Sequence, residues 1–137
     1  MAEIRSRRPG VARNSVALIL VVDDEYGIAE VLEVVLADAG HEVITAINGR
    51  QALERLRERQ PDLVLLDFMM PIMDGPAMLK RMREEPAFRD IPAVVMSSLP
   101  ESAITEAAGG TYTAVLRKPF KLGTLVEVVS MALGRHG

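Results

Sequence analysis

Residues 16–22, "VALILVV", make a short unbroken apolar run that ends abruptly on Asp23-Asp24-Glu25, and the chain repeats this plan along its length. A β-branched run without polar alternation is what a strand covered on both faces requires. Behind it, Ile28, Val31, Leu32, Val35, Leu36 and Ala39 recur at i, i+3, i+4, i+7, i+8 and i+11. That spacing is one stripe of an amphipathic helix, and Gly40 follows where a helix end favours glycine. "EVITA" (42–46) reads as a second strand, and Asn48-Gly49 turns into a helix carrying Ala52, Leu53 and Leu56. Pro61-Asp62 leads into "LVLLD" (63–67), and Gly75-Pro76 opens a helix whose apolar edge is Met78, Leu79 and Met82. Two further strands are "PAVVM" (92–96) and "TAVLR" (113–117), separated by a short helix over 101–108 closed by Gly109-Gly110. Leu122, Leu125, Val126, Val129 and Leu133 mark the last helix. Five successive β-α units predict an α/β fold, a doubly wound five-stranded parallel sheet flanked by five helices.

At 137 residues the chain is of single-domain size, large enough to hold a core without staples. Residues 1–15 read as a flexible basic tail and residues 16–134 as the domain. Cysteine is absent, which excludes disulfides and thiolate metal sites. With 16 basic and 19 acidic residues, the net charge of −3 gives no electrostatic reason to bind nucleic acid or an anionic membrane directly. No apolar stretch is long enough to span a bilayer, and no secretory core follows the basic start, so the expected location is cytoplasmic. The chain has no Trp, two Tyr and three Phe, too few aromatics for base or ring stacking to dominate. Five of its eight methionines fall between Met69 and Met82, a density that suits adaptable core filling.

In a parallel α/β sheet, ligands bind beyond the carboxyl ends of the strands. Past the first strand stand Asp23, Asp24 and Glu25, past the third Asp67, past the fourth Ser97 and Ser98, and past the fifth Lys118-Pro119. Carboxylates gathered at one edge repel one another unless a cation sits among them. Oxygen donors without His or Cys suit Mg²⁺. A lysine and a hydroxyl beside such a centre meet the needs of an incoming phosphoryl group, and a carboxylate can serve as its nucleophile.

The ordered set "VVDDE", "NGRQALE", "PDLVLLDFMMPIMDG", "PAVVMSS" and "LRKPF" resembles a response-regulator receiver domain, over residues 16–133. The resemblance implies a flavodoxin-like receiver fold and Mg²⁺-dependent phosphorylation on Asp67. Asp24 would be the closer metal ligand, Asp23 would act mainly through water, and Asp67 would be both ligand and phosphoacceptor. The carbonyl of Met69 would complete the protein's share. Ser97 would be the switch hydroxyl and Lys118 the salt-bridge partner of the phosphoryl group, with a cis bond to Pro119. It further implies a histidine kinase or histidine phosphotransfer protein as donor. The fourth and fifth helices and fifth strand would be the contact face for a downstream partner, a fused output domain or a second copy in a homodimer. Only Gly134–Gly137 follow the last helix, so the chain is either a stand-alone regulator or a receiver cut from a longer protein.

One position departs from the pattern. Where the family places a Tyr or Phe three residues before the lysine, Val115 stands, which implies that signalling relies on Ser97 and on residues 98–110, with Tyr112 the nearby ring. In the family the resemblance points to, the residues two beyond the phosphoacceptor and two beyond the switch hydroxyl flank the attacking water. Here these would be Met69 and Leu99, both apolar, which predicts a long-lived acyl phosphate. Such a domain transfers phosphate to itself and is not an enzyme with a separate substrate. Its alternative is a phosphorylation-independent interaction module of the same fold. A nucleotide or flavin enzyme would need a glycine-rich loop after the first strand, where "DDEYG" stands. An Asp-nucleophile phosphatase would need a second Asp where Met69 stands.

Overall fold

The computed structural model describes residues 16–134; the segment read as a basic tail lies outside the described residues. Strands and helices alternate as β1 (Leu18–Val22), α1 (Tyr26–Asp38), β2 (Glu42–Ala46), α2 (Gly49–Glu58), β3 (Leu63–Asp67), α3 (Gly75–Glu84), β4 (Ala93–Ser97), α4 (Glu101–Ala108), β5 (Ala114–Arg117) and α5 (Leu122–Ala132). All pairings are parallel, in the order β2-β1-β3-β4-β5. The chain reverses direction across the sheet between β1 and β3, which places a crevice at the carboxyl ends of those two strands.

Period-2 alternation within each strand divides the interior into two cores. Leu20, Val22, Val64, Leu66 and Val95 pack with α2, α3 and α4 on one face. Ile19, Val21, Leu63, Leu65 and Val94 pack with α1 and α5 on the other. All five residues of β1, β3 and β4 are buried, as strands covered on both sides must be. Each such Leu, Ile or Val contributes about 1.5–3 kcal/mol of burial. The methionines divide: Met70, Met78 and Met82 fill the core, whereas Met69 stands exposed.

The α1 stripe sits differently from its sequence expectation. Ala29, Leu32 and Leu36 face the sheet, while Ile28, Val31 and Val34 are exposed. A helix this rich in apolar residues offers several overlapping stripes, and contact with β1 and α5 selects one. Two caps fix the loops on the functional edge. Asn48 Oδ1 accepts from Gln51 N at 2.8 Å, and Asp74 Oδ1 accepts from Ala77 N at 3.0 Å. Gly75 donates to Phe68 O at 3.0 Å, and a Cβ there would lie 2.9 Å from that same oxygen, so only glycine lets the β3–α3 loop close so tightly. In the same loop Ile72 takes φ 67°, a left-handed conformation unfavourable for a β-branched residue. Among the described residues, no helix is long and apolar enough to cross a membrane.

Candidate functional site

Register determines which side chains meet. Val22 pairs with Leu66, so Asp23, one step past β1, comes beside Asp67, the last residue of β3. Asp67 in turn pairs with Met96, and Ser97 with Arg117, so Ser97 and Lys118 follow one step later on the neighbouring strands. The staggered ends border a cavity of about 290 Å³ lined by Asp24, Glu25, Asp67, Met69, Ser97, Ser98 and Lys118.

The carboxylates of Asp23, Asp24 and Asp67 offer oxygens within 4.8 Å of one another. Lys118 Nζ donates to Asp67 Oδ1 at 3.2 Å, and the Lys118–Pro119 bond is cis. Met69 N approaches the same Asp67 oxygen at 3.5 Å. Asp23 Oδ1 accepts from Glu25 N at 2.9 Å, while its Oδ2 is buried with no partner in the protein. Burial pushes the Asp23 carboxyl up from its ordinary 3.8 to about 6. Asp67 and Asp24 push the same way, opposed by the Glu25 N–H and by Lys118. A buried, partnerless oxygen beside two further carboxylates is a donor set that fits a hard divalent cation.

Ser97 is buried at the edge of this cavity, but its hydroxyl folds back on its own loop, accepting from Leu99 N at 3.0 Å. Ser98 also lines the cavity. Leu99 lies outside the lining and packs, half-buried, against the core beneath α4. Met69, the other apolar residue expected to flank the attacking water, lines the cavity. Val115 likewise packs against the core on β5, opposite Val95. Tyr112 precedes β5, and its hydroxyl lies 3.2 Å from Thr105 Oγ1 of α4. It lines a separate cavity with Arg83 and Arg89.

One residue beside the site escaped the sequence reading. The Arg117 guanidinium donates to Leu99 O. Nothing local marks an arginine before a lysine as special; its partner is set by the β4–β5 pairing.

The family model for the response regulator receiver domain matches residues 19–130. Transcriptional regulatory protein PrrA of Mycobacterium tuberculosis is 35% identical over 122 residues, covering 87% of this chain and 51% of its own length. This chain thus spans about half the length of that curated relative. Among solved structures, the chemotaxis response regulator CheY4 of Vibrio cholerae aligns with a TM-score of 0.81 at 28% identity, over 86% of this chain and 99% of that one. NtrX of Brucella abortus aligns with a TM-score of 0.80 at 32% identity, over 87% of this chain and 27% of that one.

Proposed function

Because the chain belongs to the response regulator receiver domain family, we propose that it is a phosphorylated switch in which Asp67 accepts a phosphoryl group from the phosphohistidine of a kinase or histidine phosphotransfer protein. The observation that carries this reading is the Lys118 Nζ–Asp67 Oδ1 contact at 3.2 Å, with the carboxylates of Asp23 and Asp24 offering oxygens within 4.8 Å of those of Asp67. A carboxylate held by one cation and open to a cavity is placed to attack phosphorus. An Asp67 oxygen forms the new P–O bond as the P–N bond of the donor breaks, and the departing imidazole nitrogen takes up a proton.

Asp23, through its partnerless Oδ2, Asp24, Asp67 and the Met69 carbonyl would hold Mg²⁺. When bound, the metal neutralises charge on the phosphoryl oxygens during transfer. Lys118 would follow the charge from the Asp67 carboxylate to the phosphoryl oxygens. Ser97 would donate its hydroxyl proton to one of them. The phosphorylated state would then alter the surface of α4, β5 and α5, and with it the binding of a downstream protein or output domain.

The test is incubation with Mg²⁺ and acetyl phosphate, followed by intact mass measurement, with Asp67→Asn in parallel. A single phosphoryl adduct is expected on the wild type, absent from the variant and absent in chelator. No adduct on folded wild-type protein would favour a phosphorylation-independent interaction module.

A further inference from the structure

We propose that Arg117 is the latch that holds the β4–α4 loop in its resting position, taking over the coupling that an aromatic ring at position 115 would supply. The proposal deepens the assignment of Asp67 as phosphoacceptor and rests on it. Its basis is the Leu99 residue, whose two backbone polar groups are both held from outside the helix. Ser97 Oγ accepts its N–H at 3.0 Å, and the Arg117 guanidinium donates to its carbonyl.

These two bonds link the site to the residue that leads into α4. Ser97 ends β4 and borders the Asp67 cavity. Arg117 ends β5, is the register partner of Ser97, and directly precedes Lys118. Lys118 N also donates to Ser97 O at 2.9 Å, so the two strand ends move together. Leu99 precedes Pro100, the N-cap of α4, whose carbonyl accepts from Ala103 N and Ile104 N. Pro100 supplies no side-chain cap, and α4 is eight residues long. A helix so short has little intrinsic stability, and its first turn goes where Leu99 goes.

A Ser97 hydroxyl that turns toward a phosphoryl group on Asp67 gives up the Leu99 N–H. The Arg117 bond to the Leu99 carbonyl and the packing of the Leu99 side chain against the core then resist displacement of the loop. Val115 cannot do so through a swinging ring, since it is a short side chain packed against the core. Arg117 is therefore a positioning residue that sets the balance between the resting and switched loop. Deleting its guanidinium weakens the resting state alone, and by linkage tightens binding of any ligand that favours the switched state.

Beryllium trifluoride with Mg²⁺, a stable mimic of the aspartyl phosphate, is the probe. Arg117→Ala is expected to bind it about fivefold more tightly than wild type, the factor matching loss of one hydrogen bond from the resting state. Amide hydrogen exchange at Leu99, Ala103 and Ile104 should speed up in the unliganded variant while exchange in β3 is unchanged. Arg117→Met keeps the apolar stem and deletes the guanidinium, so it should reproduce both effects and serves as the test if the alanine variant does not fold. Equal or weaker binding in the variant would overturn the latch, weaker binding showing that Arg117 acts only as a positive charge near an anion. Failure of folded wild type to bind the probe, or equal binding by Asp67→Asn, would instead remove the phosphoacceptor assignment and the latch with it.

Discussion

Replacing Asp23 by Asn should stabilise the metal-free protein, although the residue sits at the centre of the site. The Asp23 carboxyl is fully buried, and burial raises it from 3.8 to about 6. Below pH 3.8 the group is neutral folded and unfolded, and its charge costs nothing. As pH rises from 3.8 to about 6 the unfolded chain ionises first, so the folded state loses stability across that window. Above about 6 the loss is complete; at about 1.4 kcal/mol per pH unit, the interval amounts to about 3 kcal/mol. Asn carries no such cost. It keeps an oxygen for the Glu25 N–H and replaces the partnerless Oδ2 with a donor beside two carboxylates. Urea unfolding in chelator at about pH 7.5 should show Asp23→Asn more stable by about 2–3 kcal/mol, shrinking to about half at about pH 5. Added Mg²⁺ should reverse the order, because a ligand bound only by the folded state stabilises it and the variant has lost a charged donor. An Asn variant less stable than wild type in chelator at the higher pH would refute the reasoning. So would a stability difference that does not change with pH.

Ile72→Gly should raise stability by about 1 kcal/mol, since φ 67° is strained for an L residue and free for glycine; a lower urea midpoint would contradict it. Gly75→Ala should destabilise by about 1–3 kcal/mol and shift the Met69 amide resonance, because its Cβ meets backbone at Phe68 O that cannot swing aside. The acyl phosphate should persist for minutes or longer after the phosphodonor is removed, with exposed Met69 unable to orient a water. Decay within seconds would show that Met69 does not control water access, and Met69→Asn should shorten the lifetime.

The sequence by itself determined the kind of each element, the two-sided burial of β1 and the side chains that stand past strand ends. These properties are local. Period-2 and period-3.6 patterns report burial within one segment, and the carboxyl-edge rule turns four separate strand ends into one site containing Asp67 and Lys118. It could not determine which stripe of α1 faces the sheet, because Ile28 and Val31 are as apolar as Leu32 and Leu36, and only the packing of neighbouring elements distinguishes them. Nor could it foresee that Leu99 turns to the core, that Tyr112 meets Thr105 away from the site, or that Ser97 rests on Leu99 N–H. Each of those depends on a rotamer: that of Ser97 turns back on its own loop, while Leu99 and Tyr112 find partners supplied by other elements. The Arg117 contact belongs with them: an arginine at the end of a strand has many solvated conformations, and the pairing of β5 with β4 brings the Leu99 carbonyl within its reach. The tertiary structure thus decided how the site is connected to α4, since that connection runs between strands distant along the chain and neighbouring only in the sheet.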